Sequence, residues 1–222
     1  MRAGRCNRGF TLVELLIAIS IMAVMAALSW RGLDGMLLAQ TRVQTHSAAV
    51  QALQAGLAQW GADLDAALPV GSQPALDWDG RALRLTRPAS TLGPGGVVVV
   101  AWSRRDIGQV GQWLRWQSPP VLTRAGLQQA WTQAAQWAQN PGDDLKAHEV
   151  RVMPLQAWQI YFFRGNAWSN PLSDAEAAPG STGPSSTSLP DGVRLVLSPG
   201  KDGVLTGPIT RDWVRPTLGG KG

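Results

Sequence analysis

The chain has 222 residues, of which 45 % are hydrophobic and 16 % charged, with a formal charge of +5. That balance excludes a disordered chain and a multi-span membrane protein, and the length suits one moderate domain plus an additional element. The sequence pI of about 10.3 points toward nucleic acid only until the charges are placed. Arg2, Arg5 and Arg8 stand in the first nine positions beside no acid, and +5 less those three leaves +2, a weak basis for a polyanion partner.

The first nine residues are short, polar and basic, and they hold the only cysteine, Cys6. A lipoprotein cysteine follows an apolar run, whereas this one precedes it. Removal of this leader leaves an exported chain without a disulfide.

Phe10 to Trp30 reads FTLVELLIAISIMAVMAALSW. The run is long enough to cross ~30 Å of hydrocarbon at ~1.5 Å per residue. The arginines before it hold the N-terminus in the cytoplasm and send the rest of the chain across. Trp30 and Arg31 fit the far interface. An ordinary signal peptide would be cut at small residues after the apolar core, and Ala26-Ala27 imitates such a site.

The start of the run argues for a different cut. Gly9-Phe10-Thr11-Leu12-Val13-Glu14 joins a glycine before a phenylalanine to a carboxylate five positions into the new N-terminus, inside an apolar run. This closely resembles the processing motif of type IV prepilins and pseudopilins. The resemblance implies that a prepilin peptidase cuts after Gly9 on the cytoplasmic side and N-methylates Phe10. Gly9 has no side chain to crowd the scissile bond. The same resemblance implies a single-pass inner-membrane protein with a leader at 1–9, a span at 10–30 and a periplasmic C-terminal part.

Glu14 is the one charge in the span. A carboxylate in hydrocarbon costs on the order of a few kcal/mol without a partner. One reading places it shallowly, reaching headgroup water. The family resemblance implies the other, pairing with the Phe10 amine of a neighbouring subunit during assembly.

Beyond the span, Val50, Leu53, Leu57, Trp60 and Leu64 follow steps of three and four, an apolar stripe on a helix. Pro69 stops it, so residues 31–68 are predicted to continue the helix in amphipathic form. Residues 69–216 then supply a β-rich domain. Leu83 and Leu85 alternate with polar residues. Val97 to Trp102 is a continuous apolar run suited to a strand covered on both faces. Trp113 to Trp116 is a short strand candidate. Trp158, Ile160 and Phe162 share one face of another, and Val193, Leu195 and Leu197 share one face of a third. The expected fold is α+β, a long N-terminal helix packed on a mostly antiparallel sheet.

Leu127, Ala130, Trp131, Ala134 and Trp137 recur at helical spacing, with Thr123 as the cap and Asn140-Pro141-Gly142 as the stop. Its tryptophans read as sheet-covering contacts, with a sugar- or peptide-binding strip as the alternative. A Trp-rich exported surface is expected to contact unlike partners. Ser169 to Asp191 reads as a loop between strands, Lys201-Asp202-Gly203 as a hairpin turn, and 217–222 as a loose tail.

Further resemblance narrows the family. Trp30-Arg31-Gly32-Leu33-Asp34-Gly35 is similar to the segment after the span in J-type minor pseudopilins of type II secretion systems. Leu155 to Trp168 resembles their late strand pair, and Leu189 to Leu197 their final proline-led strand. The stretch from Arg124 to Asn140 has no counterpart there. The resemblance implies a structural tip or priming subunit supporting protein export across the outer membrane, with I-type and K-type minor pseudopilins as partners. The alternative is a minor pilin of a type IV pilus or DNA-uptake apparatus.

No catalytic or cofactor constellation stands out. His46 and His148 lack metal-ligand spacing, and Asp143, Asp144 and Glu149 lack that of an EF-hand. No G-x-S-x-G segment occurs. Arg104-Arg105 is the one adjacent basic pair after the span, too little to expect nucleic-acid binding. The chain is therefore not expected to be an enzyme or to bind a metal or cofactor.

Overall fold

The computed structural model describes residues 10–89, 95–174, 189–200 and 203–216. The leader, Lys201-Asp202 of the expected turn, and the tail 217–222 lie outside them. In chain order the elements are α1 (Leu12–Asp65), β1 (Leu76–Trp78), β2 (Ala82–Pro88), β3 (Val97–Ile107), β4 (Val110–Gln117), α2 (Arg124–Gln139), α3 (Asp143–Lys146), β5 (Glu149–Pro154), β6 (Ala157–Arg164), β7 (Ala167–Ser169), α4 (Pro171–Asp174), β8 (Gly192–Ser198) and β9 (Ile209–Val214). The chain divides into two compact units, Met1–Ser47 and Ala48–Gly222.

In the first unit every residue of α1 but the half-buried Ala18 is exposed, including Leu15, Ile19, Met22, Leu28 and Trp30. A helix apolar on all sides is at home in lipid or among other helices. Among the described residues α1 is the one helix long and apolar enough to cross a membrane, and its apolar part is not buried. The helix starts at Leu12 rather than Phe10 and ends at Asp65 rather than at 68. At that end Ala67 N–H bonds the carbonyl of Leu64 at 3.1 Å, a tightened closing turn before Pro69.

The second unit corrects the expectation of one sheet. There are two, β1-β2-β3-β4-β5 and β7-β6-β8-β9, with every pairing antiparallel. One core gathers Trp60 and Leu64 of α1, Leu85, Val98, Val100 and Trp102 from one face of the five-stranded sheet, and Ile160, Val193 and Leu195 from the other sheet. The other core lies on the opposite face, where Val99, Ala101, Leu114 and Trp116 meet Leu127, Ala130, Trp131, Ala134 and Trp137 of α2. The apolar run in β3 is thus covered on both faces, as a strand with no polar alternation should be.

Turn chemistry closes the hairpins. Arg164 pairs with Ala167 across Gly165 and Asn166, both at positive φ, as a two-residue primed turn requires. α2 starts as its sequence predicts, with Thr123 accepting the Gly126 N–H at 3.1 Å. β8 is not the final strand, since β9 follows and pairs with it over Gly192 to Leu197. The expected loop from Ser169 is shorter than anticipated at its start: β7 reaches Ser169 and α4 spans Pro171–Asp174. Residues 175–188 of that loop lie outside the described ones.

The tryptophan-rich surface is overturned. Trp60, Trp102, Trp113, Trp116, Trp131, Trp137 and Trp213 are buried, and Trp78, Trp158 and Trp168 are half-buried. Large aromatic surface is removed from water wherever a second layer can cover it. The two sheets and α2 supply such layers, so Trp131 and Trp137 form no exposed binding strip.

Candidate functional site

The N-terminal site begins at Phe10, since Gly9 lies outside the described residues. Phe10 is exposed. Thr11 precedes the first helical residue, and its backbone N–H donates to Glu14 Oε2 at 3.0 Å. The Thr11 hydroxyl is 2.9 Å from the same oxygen, and the Glu14 N–H lies 3.3 Å from Thr11 Oγ1. This reciprocal arrangement is a capping box, which satisfies amide donors that the first turn leaves open. Glu14 therefore has a partner within its own chain, a third option beside headgroup water and a neighbouring amine. The spacing Thr-x-x-Glu carried the signal for it. Both bonds fall on Oε2, which leaves Oε1 without a hydrogen bond among the described residues. A carboxylate in this state is held at a fixed place on the first turn and keeps an acceptor for a cationic donor.

The other titratable residues singled out do not form a site. Asp143 pairs with Lys146 at 3.0 Å. Glu149 is bound by Arg105 Nη2 at 2.6 Å and by the Trp137 indole N–H at 2.9 Å. Among the described residues no group of three His, Cys, Asp or Glu is placed to hold a metal. His46 and His148 are exposed. The basic pair is neutralised locally, Arg104 by Asp106 at 2.6 Å and Arg105 by Glu149.

The second unit also carries an open groove of about 710 Å³ lined by Ala49 and Ala52 of α1, by residues of β5, and by Pro199, Gly200, Gly203, Val204 and Leu205. Val152, Met153 and Leu155 are among its apolar lining residues, and among the described residues Arg104 and Asp106 line it as an ion pair. Nothing in the sequence pattern marked it, because its walls come from segments that lie far apart along the chain.

Residues 4–30 match the family described as the prokaryotic N-terminal methylation motif. No curated protein and no solved structure matches the chain. The matched stretch contains Gly9, Phe10 and Glu14 together with the apolar helix as far as Trp30.

Proposed function

We propose that the chain, whose residues 4–30 match the prokaryotic N-terminal methylation motif, is a type IV pilin-like protein anchored in the membrane by its apolar helix, and within that group a minor pseudopilin, a structural tip or priming subunit of a type II secretion pseudopilus. The observation that carries this reading is the Gly9-Phe10 junction and the capped Glu14 at the head of an unburied apolar helix. In this reading a prepilin peptidase cuts after Gly9 and methylates Phe10. The N-terminus stays in the cytoplasm, and the Ala48–Gly222 unit lies in the periplasm. The new Phe10 amine carries substantial positive charge near neutral pH, at an ordinary pKa of about 7.7–8.0. Oε1 of a neighbouring Glu14 is an acceptor for it.

The role is structural rather than catalytic. The segments Trp30 to Gly35 and Leu155 to Trp168, similar to those of J-type subunits, support the tip placement. A repeating major subunit favours a small exported part. Here residues 66–222 follow the helix, which is bulk more easily housed where neighbours lie on one side only.

Coexpression with I-type and K-type pseudopilins tests the proposal. The expected result is a heteromeric complex, captured from membranes through any one subunit. Glu14→Ala should leave membrane insertion intact and reduce capture several-fold. Unchanged capture removes the pairing role. Capture by type IV pilus subunits instead, or homopolymers formed by this chain alone, refutes the tip placement.

A further inference from the structure

Asp63 is an acid in an unfavourable place. It lies in the last turns of α1, where the helix dipole is negative and the final turn contains no basic residue. Its side chain is 0 % exposed. The sequence surrounds it with apolar partners of the sheet, Trp60 on one side and Leu64 on the other.

Five donors meet that one carboxylate. Gln59 Nε2 reaches it from the same helix at 2.9 Å. Arg87 Nη1 comes from β2 at 2.7 Å, and the Trp102 indole N–H from β3 at 2.9 Å. Arg115 of β4 contributes Nε at 2.8 Å and Nη2 at 3.0 Å. Three adjacent strands therefore converge on one residue of the helix. Asp65, two residues on, accepts the Trp213 indole N–H from β9 at 2.7 Å, which ties the other sheet to the same helix end.

Buried ion clusters of this kind rarely add stability over apolar residues of similar volume, because desolvation offsets the attraction. They do impose geometry. Leu53, Leu57, Trp60 and Leu64 hold α1 to the sheet by contacts that have no direction, and a helix displaced by one turn, ~5.4 Å, would still bury leucines. The same displacement would set Gln59 or Ala67 where Asp63 stands and leave Arg87 and Arg115 without their carboxylate.

We propose that Asp63 is a registry lock: a positioning residue that fixes the translation and rotation of the last turns of α1 on the five-stranded sheet, rather than a source of net stability. The lock belongs to the folded Ala48–Gly222 unit and holds whichever assembly the chain joins.

The test uses the full chain in detergent micelles, with ¹⁵N-labelled indoles. Trp60 is the reporter. It rides on α1, and its ring lies 5.5 Å from Trp102, 6.2 Å from Trp113 and 6.4 Å from Trp158. Its indole resonance and contacts therefore depend on the register. In the apolar replacement Asp63→Leu/Arg87→Met/Arg115→Met, the unfolding midpoint should be at or above that of the wild type. The Trp60 signal should split or broaden into several species and lose its Trp158 contact. Asp63→Asn, which keeps the shape but sets an N–H against Arg115, should melt below the triple variant. The proposal is overturned by a triple variant with one sharp Trp60 signal and wild-type contacts. It is equally overturned by a triple variant that fails to fold or melts below Asp63→Asn, since the cluster is then a stability element.

Discussion

Two glycines of α1 make a matched pair. An alanine Cβ at Gly61 meets nothing within 4 Å, whereas at Gly56 it would stand 2.5 Å from Val152 Cγ1 and 2.8 Å from Trp113 Cζ3. In either place Gly→Ala contributes ~1 kcal/mol of helix propensity. At Gly56 the clash opposes it. Val152 belongs to an edge strand and can give. The Trp113 ring is 0 % exposed and wedged 4.7 Å from Trp102, so it cannot. Overpacking of this kind costs about 1–3 kcal/mol. Gly61→Ala should therefore stabilise by about 1 kcal/mol, and Gly56→Ala should destabilise by up to about 2 kcal/mol. The difference between the two variants cancels the propensity and isolates the clash. Denaturant unfolding of the full chain in detergent, followed by tryptophan fluorescence, reads it directly. Of the eleven tryptophans only Trp30 lies before Ala48, so the signal reports the second unit. If Gly56→Ala proves as stable as Gly61→Ala, the close approach of α1 to β4 and β5 is wrong.

The remaining predictions follow the same logic. Thr123→Ala removes the acceptor for the Gly126 N–H and should lower stability by ~1 kcal/mol in the same unfolding assay, with Thr123→Asp close to wild type. Asp212 is held below its ordinary value of 3.8 by the two hydrogen bonds from Arg194, both at 2.7 Å. A depressed carboxylate contributes stability above its unfolded-state value and loses it as the pH falls through the folded one. The stability gap between wild type and Asp212→Asn should therefore be small, present at pH 5, and should close in acid below 3.8; a gap that widens there refutes the pairing. Coexpression with a prepilin peptidase should remove nine residues by intact mass, and Gly9→Val should abolish the cut. A cut after Ala27 would make the leader an ordinary signal peptide.

Much of this fold was readable because its signals are local. The stripe from Leu53 to Leu64, the uniform run at Val97 to Trp102 and the capped helix after Thr123 each lie within one short window, where a helical or extended period leaves its mark. The misses are non-local. β1 has three residues and exists only through its pairing with β2. The division into two sheets depends on which strands meet, which no single run encodes. Asp63 carries no mark in the sequence, because its arginines lie 24 and 52 residues away. The Phe10 and Glu14 positions were readable from the motif. The Thr11 cap is legible too, in the Thr-x-x-Glu spacing at the helix start.

The stretch from Arg124 to Asn140, which resembles nothing in the J-type pattern, has a structural reason to exist. β3 directs Val98, Val100 and Trp102 to one core and Val99 and Ala101 to the other. α1 and the four-stranded sheet cover only the first set. Without α2, the second set would face water together with Leu114 and Trp116, an apolar patch of the kind that drives aggregation. Trp131 and Trp137 fill that face and find acceptors for their indole N–H groups in Thr86 and Glu149. Arg105, half of the one adjacent basic pair after the span, donates to that same Glu149 and to the Trp137 carbonyl at the end of α2. Arg105 and the unmatched helix are thus parts of one device that closes the outer face of the sheet.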